Sequence, residues 1–302
     1  MKEPPEIATI AVLGAGTMGL GIAHVAALGG FSTHLFDVSA AALDRARQTV
    51  DANLRKGVER GKVTAEAAQG AIQKLQTSGE LEDAVRDADL VIEAVPESME
   101  LKVETFRRVA AAAPEHTLLT SNTSGLSITE MAAASGRPES FAGMHFFNPV
   151  HIMRLVELVT GLETSPSTVE RLRRVSERMG KKVVVVSESP GFVTSRINAL
   201  IGNEAFRTLE SGVASAEDID TALKLGLNHP MGPFEMVDLV GLDVRLSILE
   251  HLHSTLGDTY RPSNLLRQYV QAGRLGRKTG RGIYRYDETG RRTAEQEKEE
   301  AQ

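Results

Sequence analysis

The glycine series Gly14-Ala15-Gly16-Thr17-Met18-Gly19, the pair His145 and Glu157, and the run Ser121-Asn122-Thr123-Ser124 are the residues whose types and spacing could do chemistry in this chain of 302 residues. The glycines fit G-x-G-x-x-G. They follow an apolar strand-like run, Ile7 to Leu13, and open a helical stretch. Asp37 lies 18 residues beyond Gly19, at the end of a second strand-like run. That context turns a weak motif into a dinucleotide-binding fingerprint. Gly14 permits the tight turn, Gly16 lets backbone N–H groups approach a diphosphate, and Gly19 lets helix and strand pack closely. Thr17 and Met18 stand in the first turn, where the partial positive charge of the helix N-terminus meets the phosphates. Asp37 would accept hydrogen bonds from the adenosine ribose. A 2′-phosphate there would meet a like charge, which favours NAD over NADP. A nucleotide-free glycine turn is the plainer alternative.

Three polar positions stand downstream. Ser121 to Ser124 follow a strand, so they are expected at the carboxyl edge of the sheet. His145 ends another strand, in Gly-Met-His-Phe-Phe-Asn-Pro. Glu157 interrupts the apolar run Leu155 to Val159, and a buried carboxylate needs a partner. Oxidation of an alcohol calls for such a pair. A histidine removes the hydroxyl proton as hydride leaves carbon, and a carboxylate on its other ring nitrogen fixes the tautomer and stabilises the imidazolium. The plainer readings are a packed strand histidine and a structural ion pair, for instance of Glu157 with Arg154. Periodicity alone does not bring the two residues together.

The elements that must position these groups are legible in outline. Strand, glycine turn, helix (about 17–28) and strand (Ser32–Phe36) form one βαβ unit. Leu43, Ala46, Val50, Leu54 and Val58 step by three or four from residue 40 to 60, which is one amphipathic helix. A second helix, about 64–76, turns back after Gly61. Strands follow near 89–94, 117–121, 140–145, 155–159 and 182–186. Beyond Ser189-Pro190-Gly191 only helical patterns remain. Gly212 stops one helix, Ser215 caps the next, Pro233 opens another, and two more span about 242–256 and 263–273. The expectation is a Rossmann-type, doubly wound, mostly parallel α/β domain over 1–188, with a helical insertion at 40–76. An all-helical domain over 189–286 and a charged, disordered tail over 287–302 follow.

Composition narrows the class. The chain is 41% hydrophobic and 25% charged, enough for a substantial core, and its net charge of −6 disfavours nucleic-acid binding. Without cysteine it has neither disulfides nor thiolate chemistry. The start, Met-Lys-Glu-Pro-Pro and a short apolar run, is no secretory signal, and no stretch reaches the length of a membrane span, so a cytoplasmic location is expected. The basic residues Arg171, Arg173, Arg174, Arg178, Lys181 and Lys182 read as a solvated helix face.

In family order along nearly the whole chain stand Val12-Leu-Gly-Ala-Gly-Thr-Met-Gly19, Val91-Ile-Glu-Ala-Val-Pro-Glu97, Ser121-Asn-Thr-Ser124, His145-Phe-Phe-Asn-Pro149, Pro190-Gly-Phe192, His229-Pro-Met-Gly-Pro233, Asp238-Leu-Val-Gly-Leu-Asp243 and Gly276-Arg-Lys-Thr-Gly280. In these motifs the sequence resembles the 3-hydroxyacyl-CoA dehydrogenase family, in particular its stand-alone bacterial 3-hydroxybutyryl-CoA members. The resemblance implies NAD-dependent oxidation of a short-chain (S)-3-hydroxyacyl-CoA, and the reverse. It implies His145 as base, Glu157 as its partner and Ser124 on the substrate oxygen. Glu97 and Lys102 match contacts to the nicotinamide-side ribose, and Asn148 and Lys278 match further cofactor contacts. The long helical excursion resembles a coenzyme A clamp, with Asn53 and Arg60 at its holding positions, and a guanidinium suits phosphate. Ser195 stands where the family often has Asn that positions substrate and catalytic groups. Asn198 lies one helical turn further on. No metal is expected, because histidine handles the proton and the cofactor the hydride. The apolar helices 192–212 and 232–256 imply a homodimer, as in the family. Two rivals remain: a relative acting on a free hydroxy acid such as L-gulonate, and a low-activity NAD-binding structural protein.

Overall fold

The computed structural model describes residues 6–293, and the chain divides into two compact units between Ser189 and Pro190. The first unit is built on repeated strand–helix steps. In order they are β1 (Thr9–Leu13), α1 (Thr17–Leu28), β2 (Ser32–Phe36), α2 (Ala40–Glu59), α3 (Ala65–Lys74), β3 (Leu75–Ser78), α4 (Leu81–Val85), β4 (Leu90–Glu93), α5 (Met99–Ala112), β5 (Leu118–Ser121), α6 (Ile128–Ser135), β6 (Phe141–Phe146), β7 (Leu155–Thr160), α7 (Pro166–Arg178) and β8 (Lys182–Ser187). The strands form one sheet in the order β3-β2-β1-β4-β5-β6-β7-β8. All neighbours are parallel except β6 and β7. The first six strands have the order of a Rossmann sheet, in which ligands bind outside the carboxyl ends of the strands.

The central strands read as apolar runs because both sheet faces are covered. Ile10 to Leu13 and Leu90 to Ile92 are inaccessible to solvent. On one face α1 shares a core with α2, α3 and α7. Leu43, Ala46, Val50 and Leu54 of α2 are buried there against residues such as Ile10, Val12 and Ile22. Each of the larger of these side chains contributes about 1.5–3 kcal/mol on burial. The helical excursion therefore has a firm root. Ser39 caps α2 and Thr64 caps α3 through their side-chain oxygens, and Gly61, at φ +63°, lets the chain reverse between them.

The expected second helix, 64–76, stops at Lys74. Leu75–Ser78 instead adds a parallel strand to the edge of β2, pairing Thr33 with Leu75 and Phe36 with Ser78. Four residues with three polar side chains carry no alternation of their own, so the open edge of β2 decides their conformation.

The second unit holds α8 (Thr194–Glu210), α9 (Ala216–Gly226), α10 (Pro233–Val240), α11 (Leu242–Leu256) and α12 (Asn264–Gln271). Two buried aspartates tie it together. Asp220 accepts from the first-turn amides of α10, Phe234 N (2.8 Å) and Glu235 N (3.1 Å), and from Tyr284 Oη (2.9 Å). Asp238 accepts from Ile283 N, Tyr284 N and Tyr286 Oη, each at 2.9 Å. Burial pushes both carboxyls above the usual aspartate range. Gly282 has no room for a side chain, since a Cβ there would lie 1.9 Å from Asp238 Oδ1.

The expected disordered tail does not begin at residue 287. Asp287 Oδ1 accepts from Thr289 N and Arg291 N, which closes a turn, and Thr293 N donates to Arg285 O. The charged composition hid this local aspartate turn. The rest of that segment, 294–302, lies outside the described residues. Among the described residues no helix is long and apolar enough to cross a membrane.

Candidate active site

The glycine loop joins β1 to α1 with little spare room at two points and open space at one. Gly14 sits at φ +102°, and its N–H donates to Phe36 O at 2.8 Å. A Cβ on Gly19 would lie 1.7 Å from Gly14 O, so helix and loop touch backbone to backbone there. A Cβ on Gly16 would meet nothing within 4 Å. The N-terminus of α1 has no side-chain cap and no acid in its first turn. An exposed Gly16 backed by these uncapped amides fits a diphosphate, which can approach the backbone closely. Thr17 is exposed and Met18 half-buried in the same turn. Asp37 is oriented by the loop itself. Its Oδ2 accepts from Ala15 N (2.8 Å) and its Oδ1 from Ser39 N (2.9 Å). The carboxylate thus stands fixed at the end of β2, where a dinucleotide ribose is read. NAD is the group these residues fit.

His145 and Glu157 meet through strand register. β6 and β7 are the antiparallel pair, and His145 stands directly opposite Glu157. Opposed residues project from the same face of a sheet. Both are buried, and His145 Nδ1 lies 2.8 Å from Glu157 Oε2. With Nδ1 engaged by a carboxylate, the ring carries its Nδ1 proton toward Glu157, and Nε2 is the nitrogen suited to take up a proton. The Phe147 ring lies 4.5 Å from the imidazole, centre to centre, and limits its tilt.

The end of β5 is built onto the same edge. Asn122 Oδ1 accepts from Phe146 N at 2.9 Å, which ties the Ser121–Ser124 loop to the residue after His145. Ser124 is exposed, and Glu97 Oε1 accepts from its N–H (3.1 Å) and its hydroxyl (3.5 Å). Glu97 also accepts from Thr123 Oγ1 at 2.5 Å. Beneath these lies Glu93, to which the sequence reading gave no role. Its Oε1 accepts from Lys102 Nζ (2.6 Å) and Val95 N (2.7 Å), and its Oε2 from Ser121 Oγ (2.6 Å). Lys102 Nζ also reaches Glu97 Oε2 at 3.2 Å. Glu93 and Lys102 are both buried, and burial raises the Glu93 carboxyl above the usual range despite the ammonium beside it. The structure therefore brings Glu97, Lys102 and Ser124 into one network. The signal for Glu93 was the one noticed at Glu157, an acid inside an apolar strand.

The other expected site residues stand on other elements. Asn148 is exposed on the turn between β6 and β7. Asn53 is half-buried on α2, and Arg60 is exposed as its C-cap, two turns further on. In the second unit Ser195 and Asn198 are half-buried in the first turns of α8. Lys278 Nζ pairs there with Asp243 Oδ2 at 2.7 Å.

Comparison with known proteins agrees with this geometry. The family model for the 3-hydroxyacyl-CoA dehydrogenase NAD binding domain matches residues 9–189, and that for the C-terminal domain of the same family matches residues 191–286. A probable 3-hydroxybutyryl-CoA dehydrogenase of Bacillus subtilis is 47% identical over 284 residues, 94% of this chain and 99% of that protein. A 3-hydroxybutyryl-CoA dehydrogenase of Bradyrhizobium diazoefficiens is 46% identical, over 93% of this chain and 96% of that protein. The crystal structure of (S)-3-hydroxybutyryl-CoA dehydrogenase from Ralstonia eutropha superposes with a TM-score of 0.91 at 42% identity, covering 94% of this chain and all of that one. With the NAD-binding fold, the glycine loop and the buried histidine–carboxylate pair in place, the chain belongs to the 3-hydroxyacyl-CoA dehydrogenase family and is an NAD-dependent oxidoreductase.

Proposed function

We propose that this protein oxidises short-chain (S)-3-hydroxyacyl-CoA, with 3-hydroxybutanoyl-CoA as the leading substrate, to the 3-ketoacyl-CoA, and runs the reaction in reverse. The observation that carries the reading is the His145–Glu157 pair, set across two antiparallel strands at the carboxyl edge of an NAD-binding sheet. The names of the relatives at 46–47% identity support the substrate.

In the forward direction His145 Nε2 takes the proton of the C3 hydroxyl. Glu157 holds Nδ1–H and balances the charge of the imidazolium. Ser124 and His145 hold the oxygen as it becomes a carbonyl. The hydride acceptor for C3 would be supplied by NAD, held by the glycine loop and Asp37. Glu97, steadied by Lys102, keeps Ser124 in place and would hold the nicotinamide-side ribose, and Asn148 and Lys278 would add cofactor contacts. Asn53 and Arg60 on α2 hold the coenzyme A portion, Arg60 through phosphate. Ser195 replaces an asparagine common in the family, and Asn198 supplies the longer polar side chain on the same face of α8.

The test is NADH oxidation by purified protein with acetoacetyl-CoA, beside free acetoacetate, and NAD reduction with L-gulonate. Rapid turnover with acetoacetyl-CoA alone is the expected result. Turnover with a free acid alone would remove the thioester from the reading. No turnover with any of them would favour a structural role.

A homodimer through the helical unit belongs to the same proposal. Ile197, Leu227, Leu239, Val240 and Val244 of the helical unit are all at least 40% exposed, apolar side chains that a second copy would cover. Sedimentation at micromolar concentration is expected to give twice the chain mass. A monomer there would exclude this interface.

A further inference from the structure

Lys181 stands three residues beyond the end of α7 and belongs, by sequence, to a run of basic surface residues. Its side chain is instead buried, at 7% exposure. Its Nζ donates to Val150 O and, at 2.8 Å, to Met153 O. Both carbonyls belong to the turn between β6 and β7, which begins just after His145 and carries Asn148. The inner side of that turn is already closed, because Ile152 N and Met153 N both donate to Pro149 O at 2.9 Å. Lys181 closes the outer side. The turn is also seated on the glycine-loop helix. A Cβ on Gly21 of α1 would lie 2.8 Å from Val150 Cβ, so the α1 backbone meets Val150 with nothing between.

We propose that Lys181 is a positioning residue for the cofactor, its ammonium clamping the Asn148 turn against α1 so that diphosphate and nicotinamide contacts keep one spacing. The proposal rests on the reading of Asn148 as a cofactor contact. An ammonium suits the task because it brings three donors to two carbonyls, and an apolar residue would leave that of the buried Val150 without this donor.

Among the described residues, the neighbouring His24 and His151 do not share its charge. From α1, His24 faces it, stacked on His151 of the turn with ring centres 5.4 Å apart. Burial, then the charges of His151 and Lys181, hold His24 down to about 4, so it stays neutral. Burial and Lys181 lower His151 too. Arg178, at the end of α7, is turned away over the Phe31 ring and toward Glu6. Burial brings Lys181 itself down to about 8. The clamp therefore holds its charge at neutral pH and loses it in mild alkali, where a neutral amine donates more weakly.

The experiment is direct NADH titration by fluorescence on the full-length protein, from about pH 7 to about pH 9.5. It is run on wild type, Lys181→Met and Lys181→Arg. In wild type the Kd for NADH is expected to rise about tenfold through a midpoint near 8, the difference between a charged and a neutral hydrogen-bond donor. Lys181→Met binds weakly at neutral pH and lacks the step. Lys181→Arg, charged throughout, lacks the step as well. A flat wild-type curve overturns the proposal, whether or not the variants fold. So does a wild-type step that survives in either variant. No acyl-CoA enters this measurement, so its failure leaves the acetoacetyl-CoA assay standing, and the reverse holds.

Discussion

Replacing His145 by alanine lowers kcat with acetoacetyl-CoA by about 10²–10⁴-fold, the usual contribution of a positioned acid or base, while the Kd for NADH stays within about twofold. The histidine stands on β6, whereas the glycine loop leaves the end of β1 and Asp37 ends β2, and these are the residues proposed to hold the adenosine half. On that proposal the adenosine half of the cofactor and the proton transfer are served by different strands. The alanine variant has a second effect that must be separated from the first. It leaves Glu157, 1% exposed, without its imidazole partner, and breaking a buried pair costs up to about 3–5 kcal/mol. A fall in melting temperature is therefore expected alongside the kinetic loss. His145→Gln resolves the two, because its side-chain amide can donate to Glu157 but cannot take up a proton at neutral pH. The glutamine variant should melt closer to wild type and turn over as slowly as alanine. Near-wild-type turnover in either variant would remove His145 from the mechanism.

The same strand arithmetic explains what could be read from sequence and what could not. The glycine loop was legible because its chemistry is local. Gly14, Gly16 and Gly19 each answer a demand made within one turn, and Asp37 follows after one helix and one strand. His145 and Glu157 were legible as types but not as a pair. Their meeting depends on β7 running antiparallel to β6 in one register, and a shift by a single residue would turn Glu157 to the opposite face. The absence of a helix between β6 and β7, only eight residues apart, points to the reversal, but not to the register that sets His145 against Glu157. Glu93 and Lys181 show two further limits. Glu93 carried the signal of an acid within an apolar strand, but its partners Lys102 and Ser121 come from α5 and β5. Lys181 was misread because charge type was taken for exposure. A lysine one residue past a helix-ending glycine can turn inward when carbonyls wait for it. β3 was missed for a related reason, since its conformation is imposed by the edge of β2 rather than by its own residues.

Replacing Glu157 by glutamine tests the pairing without creating a cavity or burying a new charge. The carboxylate accepts from Nδ1–H of His145 and thereby reserves Nε2 for the substrate proton. An amide in its place can present either its oxygen or its N–H₂ group to Nδ1. When N–H₂ faces the ring, Nδ1 becomes the acceptor and the proton moves to Nε2, where it blocks the base. When the oxygen faces the ring, the tautomer is right but the imidazolium loses its counter-charge in a buried site. Either way kcat falls, by about 10²–10⁴-fold if the pair acts as one acid–base unit. Stability should move little or upward, because exchanging a buried carboxylate for an isosteric amide removes a desolvation cost. That combination, slow and no less stable, separates a catalytic partner from a structural ion pair, whose loss would lower the melting temperature and spare turnover. The double variant sharpens the distinction. If His145 and Glu157 work as a unit, adding Glu157→Gln to His145→Gln costs almost nothing further in kcat. Independent, multiplying losses would mean that Glu157 acts on the reaction by a route other than the imidazole.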